Sequence, residues 1–424
     1  MGVGRLGVIG GLVLVGVFNP ASQSAHASPS LDVRAATGPA PEPKAWPDRE
    51  AERPPDAEPE PGTDPETEPD PYRSSWIGGG APFSTKETSL GFGALALYSF
   101  FLHESPETRP SSLSLRVAYT VRNQTVVAFE PRLFLKDSRY SIQGQYEFRF
   151  FPNRFYGLGN QAPDVIQDYT ERRVRASTEF QWQLRPDVYL GARYEFDRLE
   201  VLRLSDAPTS STARGLVDYL DSGVVPGAQG ETLNGSGAAL IIDDRDSVFS
   251  ATRGRLYRAE ITAFPEFAGT ADTTFAKLRV DLRNYIKTFS PKIAFWDERR
   301  SQVFALHLYG EYVAGDPPFQ ALPTLGGPRR MRGYFRGRYR DNYYTAGQVE
   351  YRAPILWRID VTAFAAVAHI TGPSSTGGEG RLTYATGGGL RALVDVEKRT
   401  MVRIDFGIAD SGDVAIIFGR SEAF

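Results

Sequence analysis

The chain has 424 residues, no cysteine, four histidines and a formal net charge of −3 at pH 7. The lack of cysteine excludes disulfides, thiolate metal ligands and cysteine nucleophiles, and four scattered histidines argue against a multi-histidine zinc site. The charge balance gives no reason to expect nucleic-acid binding. With 42 glycines, 20 tyrosines and 26 phenylalanines, the composition favours β-structure over helix.

Residues 1–27 have the pattern of a secretory signal peptide. Arg5 gives a short positive start, Leu6 to Phe18 form an apolar run, and Ala25-His26-Ala27 is a small-x-small cleavage site. The apolar run is shorter than the roughly 20 residues that a membrane-spanning helix needs. We therefore predict that the protein is exported from the cytoplasm and that its signal peptide is removed.

Residues 28–71 have the composition of a disordered periplasmic linker. From Pro39 to Pro71 there are 11 prolines and 11 acidic residues in 33 positions, and large side chains are nearly absent. Such a segment cannot bury enough apolar surface to offset the entropy lost on ordering. We predict a solvated, partly extended spacer.

Residues 72–424 are predicted to form the folded body, an all-β domain. Apolar and polar residues alternate in segments such as Ser112–Thr120, Leu278–Ile286 and Val402–Ala409, which places one set of side chains on each face of a sheet. A soluble β-sandwich would produce the same alternation. The segments run to roughly 10–15 residues, longer than ordinary strands, and aromatic residues gather near their ends. These two features favour a transmembrane antiparallel β-barrel.

Fifteen strands can be marked from the pattern. They begin near residues 88, 111, 124, 139, 168, 186, 236, 254, 273, 301, 343, 358, 381, 398 and 412. Because bacterial single-chain barrels usually have an even number of strands, we expect 16. We expect the missing strand between Ser205 and Gly235.

The segment from Leu325 to Asp341 carries six arginines within 12 positions, at 329, 330, 332, 336, 338 and 340. One interpretation is a basic extracellular loop. Aromatic residues interleave with the arginines, as in nucleic-acid-binding segments, but export of an acidic protein makes that interpretation weak. A third interpretation is a loop that folds into the barrel, because Gly326, Gly327 and Gly333 allow tight turns and Arg332 offers a planar fork to a carboxylate.

Met331-Arg332-Gly333-Tyr334 resembles the Val-Arg-Gly-Phe/Tyr motif of the BamA/TamA-like (bacterial surface antigen) outer-membrane superfamily. Further segments resemble that family in the same order along the chain. They are Phe155–Asn160, Asp243–Ser247 with Thr252–Gly254, Gln348–Pro354, Gly387–Arg391, Arg403–Gly407 and the terminal Phe424. Each segment alone is weakly specific, but the ordered set covers about 270 residues.

The resemblance implies a 16-stranded barrel with a long inward-folded loop before strand 12. In the family the loop arginine pairs with acids on the lumen wall, which makes Glu350 the expected partner of Arg332. The second family acid lies in a Phe-x-Asp-x-Gly pattern, and we align that pattern with Val367–Thr371. His369 then stands in place of the acid, as a weaker candidate partner: it either stacks on the Arg332 guanidinium or simply faces the lumen, and we favour the second.

The resemblance also implies a C-terminal signal, carried here by Phe418 and Phe424, that the barrel assembly machinery recognises during biogenesis. Full-length members of the family carry periplasmic POTRA modules before the barrel. Residues 28–71 are too few and too rich in proline to form one. We therefore expect a barrel that lacks POTRA modules.

Catalytic and metal-binding motifs are missing. There is no Gly-x-Ser-x-Gly elbow, phosphate-binding glycine loop or His-Glu-x-x-His helix. Asp243, Asp244 and Asp246 lie too close together to supply the 6–8 oxygens of a calcium site, so we interpret them as turn contacts. His307 lies at a strand position without an evident serine partner. We predict no enzyme activity, no cofactor and no metal.

The function indicated by the sequence is an integral outer-membrane barrel that assists insertion or translocation of proteins or lipids. The alternative is a passive porin-like channel or a structural surface-antigen barrel. The expected partners are outer-membrane lipid, the barrel assembly machinery, and unfolded outer-membrane protein or lipid clients, with no nucleic acid.

Overall fold

The computed structural model describes residues 72–424 apart from 86, 106–107, 160–166, 206–215, 217–229, 289–300, 357, 374–379, 396–398 and 421. Sixteen antiparallel strands form one sheet in sequence order. They are β1 (Ser75–Thr85), β2 (Ser89–Phe100), β3 (Ser111–Thr120), β4 (Thr125–Leu135), β5 (Tyr140–Phe155), β6 (Gln167–Arg185), β7 (Val188–Leu204), β8 (Gly230–Asp243), β9 (Gly254–Phe264), β10 (Phe275–Lys287), β11 (Val303–Gly315), β12 (Tyr343–Leu356), β13 (Ile359–Thr371), β14 (Arg381–Asp395), β15 (Thr400–Ala409) and β16 (Val414–Arg420).

The sheet forms a nearly closed barrel in which each strand pairs only with its sequence neighbours. Successive strands are antiparallel, with registers such as Arg279↔Glu311 between β10 and β11 and Glu350↔Phe364 between β12 and β13. The start of β1 and the end of β16 therefore lie at the same end of the barrel, which we call the terminal end. The loops that follow odd-numbered strands lie at the other end.

The two faces of the wall follow the alternation in the sequence. On β12 the side chains of Gln348 and Glu350 are buried, whereas Val349 between them is 37% exposed. Leu306 and Leu308 on β11 are exposed in the same way. Apolar side chains outside and polar side chains inside are the pattern of a barrel that spans a membrane. Among the described residues, no helix is long and apolar enough to cross a bilayer.

The prediction of 16 strands is confirmed, and each of the 15 predicted starts lies within six residues of an observed start. The position of the missing strand was wrong. The strand missing from the prediction is β1, Ser75–Thr85; most of the segment between Ser205 and Gly235, where we expected it, lies outside the described residues. The alternation is interrupted there by Gly78-Gly79-Gly80 and Pro82. Glycine has no side chain that could mark one face of a sheet, and proline within a strand pattern argues against a central strand.

The first and last strands meet at a seam. β1 pairs with β2 over its full length, and β16 pairs with β15 from Val414 to Arg420. The two strands lie side by side, but no hydrogen-bonded ladder joins them among the described residues. Each therefore keeps one edge of backbone N–H and C=O groups outside the sheet.

Candidate functional site

The long connection between β11 and β12, residues 316–342, folds into the barrel lumen. It contains a short 3₁₀ helix, Phe319–Ala321, whose three residues are all buried. Backbone hydrogen bonds from Leu325 N to Tyr339 O and from Gly337 N to Leu325 O fold the rest back on itself. Its apolar side chains pack with lumen-facing residues of the wall. That cluster includes Leu325, Met331, Tyr334, Phe335, Tyr339, Tyr344, Ala346 and Ala366.

The tip of this loop lies directly on β15. Gly333 has φ of +129°, a conformation that favours glycine, and a Cβ there would be 2.8 Å from Ala409 N. On the strand, a Cβ at Gly407 would be 2.3 Å from the Arg332 carbonyl oxygen. Glycine on both sides of the contact therefore lets the two backbones approach closely.

The Arg332 side chain, which is 0% exposed, reaches from the tip to two acids on different strands. Its Nη2 atom lies 2.7 Å from Glu350 Oε2 on β12, and Nη1 donates to Asp405 Oδ2 on β15 at 2.8 Å. The contact with Glu350 is an ion pair by distance rather than a well-aligned hydrogen bond. The Arg332 guanidinium carbon also lies 3.5 Å from the centroid of the Phe364 ring. We call this arrangement the loop pin.

Three wall arginines share the acids of the loop pin. Arg352 Nε donates to Glu350 Oε1 at 2.8 Å, Arg391 Nη1 donates to Asp405 Oδ1 at 2.6 Å, and Arg403 also pairs with Asp405. These side chains are at most 5% exposed. A buried charge is tolerated only when it is paired, so each member of the network holds the others in place.

The structure brings together most of the residues that the sequence singled out around the loop. Met331 is fully buried with φ of +50°, and the Tyr334 hydroxyl donates to Asp410 beyond the end of β15. Arg332 and Glu350 meet as described. The tetrapeptide motif is therefore the contact segment of the loop, with its arginine at the centre.

His369 does not take part, and our alignment of the second acid was out of register. On β13 it shares its parity with Val367, which is 45% exposed on the outer face, and it lies beside Gly380. Phe364 is the aromatic residue that stacks on Arg332, so the expected pattern starts there. Two residues on, at the position of the expected acid, stands Ala366. Asp405 on β15 supplies the second carboxylate instead.

Of the two residues assigned to the C-terminal signal, Phe418 and Phe424, only the first remains in the sheet. Phe418 pairs with Ile404 of β15. Phe424 is buried inside the barrel, where its oxygen accepts a hydrogen bond from Arg352 Nη2 at 3.1 Å. A terminal aromatic residue in this position contacts the lumen wall and not the surrounding lipid.

The acidic segment between β8 and β9 forms turn contacts. Asp243 accepts two side-chain hydrogen bonds from Arg245, and Asp246 accepts from the Thr252 hydroxyl and from Arg399. Partial burial opposes ionisation of Asp246, but these hydrogen bonds outweigh it and hold its pKa below the usual range. Among the described residues, no group of three or more His, Asp or Glu side chains is arranged to hold a metal ion.

His307 is a buried lumen-facing residue of β11. Its Nε2 atom lies 3.1 Å from Asp281 Oδ1, and its Nδ1 atom lies 2.8 Å from the Gln348 amide nitrogen. These contacts hold the ring between β10 and β12. They give it no serine partner of the kind that a hydrolase would need.

Comparison with known proteins identifies the family. The model for the Omp85 superfamily domain matches residues 109–396. Among solved structures, BamA from Haemophilus ducreyi lacking POTRA domains 1–3 is similar with a TM-score of 0.53 and 14% identity, over 82% of this chain and 70% of that one. CdiB from Acinetobacter baumannii is similar with a TM-score of 0.51 and 13% identity, over 82% of this chain and 59% of that one. No curated protein matches the sequence.

Proposed function

The chain belongs to the Omp85 superfamily, and we propose that this outer-membrane barrel assists the insertion or translocation either of unfolded outer-membrane proteins or of lipids. The observation that carries the proposal is the seam between β1 and β16. The described part of the barrel wall is continuous through 15 strand pairings and lacks a ladder only at this seam.

An unpaired edge in a membrane wall favours strand exchange. Backbone N–H and C=O groups that find no partner in the hydrocarbon region cost several kcal/mol each, by order of magnitude. An extended client strand can satisfy them by pairing with the free edge of β1 or β16, which is how peptides add to open sheet edges elsewhere. The seam therefore offers a client both a template and a route into the bilayer.

The pinned loop argues against the alternative of an open porin-like channel. Its tip is held in the lumen by buried ion pairs and by an apolar cluster, and it approaches the β15 backbone closely. An unobstructed barrel of this strand number would enclose an aqueous pore. With the loop in place, the seam is a more favourable route for a client than the lumen.

Three expectations from the sequence complete the proposal. The signal peptide, residues 1–27, exports the chain, and residues 28–71 act as a periplasmic spacer. The assembly machinery reads the C-terminal signal while the chain is still unfolded, because Phe424 is buried once the barrel has formed. The clients are then chains or lipids that reach the barrel from the periplasm.

The test is an insertion assay with the seam open and closed in the same protein. The full chain is reconstituted in lipid vesicles, and an unfolded eight-stranded outer-membrane barrel is diluted from urea as the client. Because the chain has no native cysteine, one cysteine is introduced in Ser75–Thr85 and one at a facing position in Val414–Arg420. Client folding is followed as the heat-modifiable band on gels.

We expect the reduced protein to accelerate client folding above empty vesicles and the oxidised, crosslinked protein to lose that acceleration. The oxidised single-cysteine variants control for the oxidant. Equal rates with the seam open and crosslinked would contradict a role for the seam. Equal rates with and without the protein would favour a passive or structural barrel.

A further inference from the structure

The chain does not end on the barrel wall. β16 stops at Arg420, opposite Val402 of β15, although β15 itself begins at Thr400. Residues 422–424 leave the sheet and enter the lumen at the terminal end. Ala423 and Phe424 are 3% and 7% exposed there. We call residues 422–424 the tail.

An apolar pocket receives the last residue of the tail. Phe424 packs in a cluster with Tyr285 of β10 and Val303 and Ala305 of β11, and its ring centroid lies 4.9 Å from that of His307. Arg352 donates to the Phe424 oxygen, as described above. The tail therefore joins the end of β16 to a wall four to six strands away in the sheet.

Glu422 anchors the tail by charge. Its Oε2 atom accepts from Arg391 Nε at 2.8 Å and lies 3.5 Å from Arg352 Nε, and its side chain is 3% exposed. Arg391 and Arg352 are two of the three wall arginines that share the acids of the loop pin. Arg391 alone contacts Asp405, Glu422 and, at 3.6 Å, Glu350. One continuous ion-pair network thus joins the loop before β12 to the last three residues of the chain.

The charges of this network favour simultaneous docking of loop and tail. The wall contributes the carboxylates of Glu350 and Asp405 and three guanidiniums, a net charge of +1. Arg332 raises the net charge to +2, and Glu422 returns it to +1. Each docked segment therefore makes the site more attractive to the other, since opposite charges attract strongly where water is excluded.

We propose that the tail is a latch whose docking in the lumen is coupled to docking of the loop through Arg352 and Arg391. Linkage makes the coupling reciprocal: release of either segment weakens the hold on the other by the same factor. The inference concerns the barrel itself and does not depend on what the barrel inserts or translocates.

The latch also bears on the seam. The register of β15 with β16 would place position 422 opposite Thr400 if the strand continued. A docked tail cannot continue it, because its residues are held across the lumen. Release of the tail would free residues 422–424 to lengthen β16 beside β1. Docking of the loop therefore influences, through the tail, how far β16 extends beside β1.

The coupling is measured by thiol accessibility in the full chain, which has no cysteine of its own. Ala423→Cys reports on the tail and Met331→Cys reports on the loop, because both side chains are buried when docked. The rate of labelling by a water-soluble maleimide is compared in three backgrounds: unchanged, Glu422→Gln and Arg332→Lys. Heat-modifiability on gels verifies that each variant is folded.

We expect Glu422→Gln to raise labelling at position 331, and Arg332→Lys to raise labelling at position 423, each on the order of tenfold. Glu179→Gln is the matched control, since Glu179 is a buried lumen acid that pairs with Arg193 and Arg258 instead. It should change neither rate.

Two results would overturn the proposal. Faster labelling at 423 with an unchanged rate at 331 in Glu422→Gln would mean that the tail docks independently of the loop. No change at either position would mean that Glu422 does not hold the tail. If Arg332→Lys does not fold, the labelling rates at positions 331 and 423 in Glu422→Gln still decide between coupled and independent docking.

Discussion

Two stretches of the lumen wall carry arginine–carboxylate networks, and they differ in burial. On β7 to β11, Glu195 pairs with Arg193 at 2.8 Å and Arg279 pairs with Glu260 at 2.6 Å, with side chains 7–21% exposed. On β12 to β15, the acids that meet Arg332 are 0% exposed. The first network is complete within the wall, whereas the second is completed by an arginine from the loop.

The comparison shows that the same arginine–carboxylate chemistry joins strands of the wall in one place and holds the inward-folded loop in the other. In the first network each cation has several acids within reach; Arg279, for example, contacts Glu195, Glu260 and Glu311. When one acid is lost, the cation keeps its other acids. Because these side chains are partly exposed, solvent also screens any charge that is left without a partner. In the loop pin the acids are 0% exposed, so solvent cannot screen the charges that remain when one partner is lost.

The largest effect is expected for Arg332→Ala. Removing the guanidinium breaks two buried ion pairs and leaves Glu350 and Asp405 to the wall arginines alone, at a cost of about 3–5 kcal/mol. The free energy of unfolding, measured by urea titration in detergent or vesicles, should fall by that amount, and proteases should cut the loop. The control is Arg330→Ala on the same loop, where a cation stacks on the Tyr309 ring at 3.5 Å and its loss should cost about 1 kcal/mol. Equal effects of the two substitutions would mean that the buried ion pairs of Arg332 contribute no more to stability than the ring contact of Arg330.

Gly407→Ala tests the close approach without touching a charge. The added methyl group would lie 2.3 Å from the Arg332 carbonyl oxygen, which is backbone and cannot move without lifting the loop tip. We expect a loss of about 1–3 kcal/mol in the free energy of unfolding and a protease-sensitive loop. Gly310→Ala is the matched control, because a Cβ there meets nothing within 4 Å, and it should stay within about 0.5 kcal/mol of the wild type. A neutral Gly407→Ala would mean that the tip does not pack on β15.

Glu195→Gln tests the wall network. Arg193 keeps Glu179 and Arg279 keeps Glu260 and Glu311, so the loss should be below about 1 kcal/mol. The same urea titration measures it. A loss as large as that of Arg332→Ala would show that the wall pairs are as indispensable as the loop pin.

The smallest effect is expected in the turn between β8 and β9. The pKa of Asp246 is lowered in the folded protein, so its charge stabilises the fold above the unfolded pKa of about 3.9, and this stabilisation is lost as pH falls through the lower, folded value. Asp246→Asn should cost a few tenths of a kcal/mol at neutral pH, because the site is only partly buried. The difference from the wild type should shrink as the pH falls below the unfolded pKa of about 3.9, in unfolding titrations at successively lower pH. A constant difference would mean that the charge plays no part.

Much of the wall could be predicted from the sequence because period-2 alternation is a local signal. Strands such as β11 and β15, with apolar residues on one parity and polar residues on the other, were found with their starts within two residues. β1 was missed because three consecutive glycines and Pro82 carry no alternation, and its strand conformation depends on pairing with β2.

The site was predictable only in part. The Arg332–Glu350 contact followed from a motif and a strand that both resemble the family. Asp405 was missed as a partner because it lies 73 residues from Arg332, and only the folded barrel brings β15 under the loop tip. The sequence did contain a signal that could have identified it. Asp405 and Arg403 alternate with the apolar Ile404 and Phe406, which places both charged side chains on the lumen face of β15.

The inward turn of the tail could not have been predicted from periodicity. Phe418, Arg420, Glu422 and Phe424 share one parity, and this pattern gives no sign that the chain leaves the sheet after Arg420. What overrides the pattern is tertiary: two arginines from β12 and β14 and an apolar pocket on β10 and β11 meet the tail in the lumen. None of these contacts is local in sequence.

The role of the loop pin is tested most directly by single-channel conductance of the full chain in planar bilayers, beside Arg332→Ala. A pinned loop obstructs the lumen, so the wild type should pass small, flickering currents, and release of the loop should make the currents of the variant large and steady. Large and steady currents from both proteins would mean that the loop does not close the lumen, and the barrel would then be an open channel.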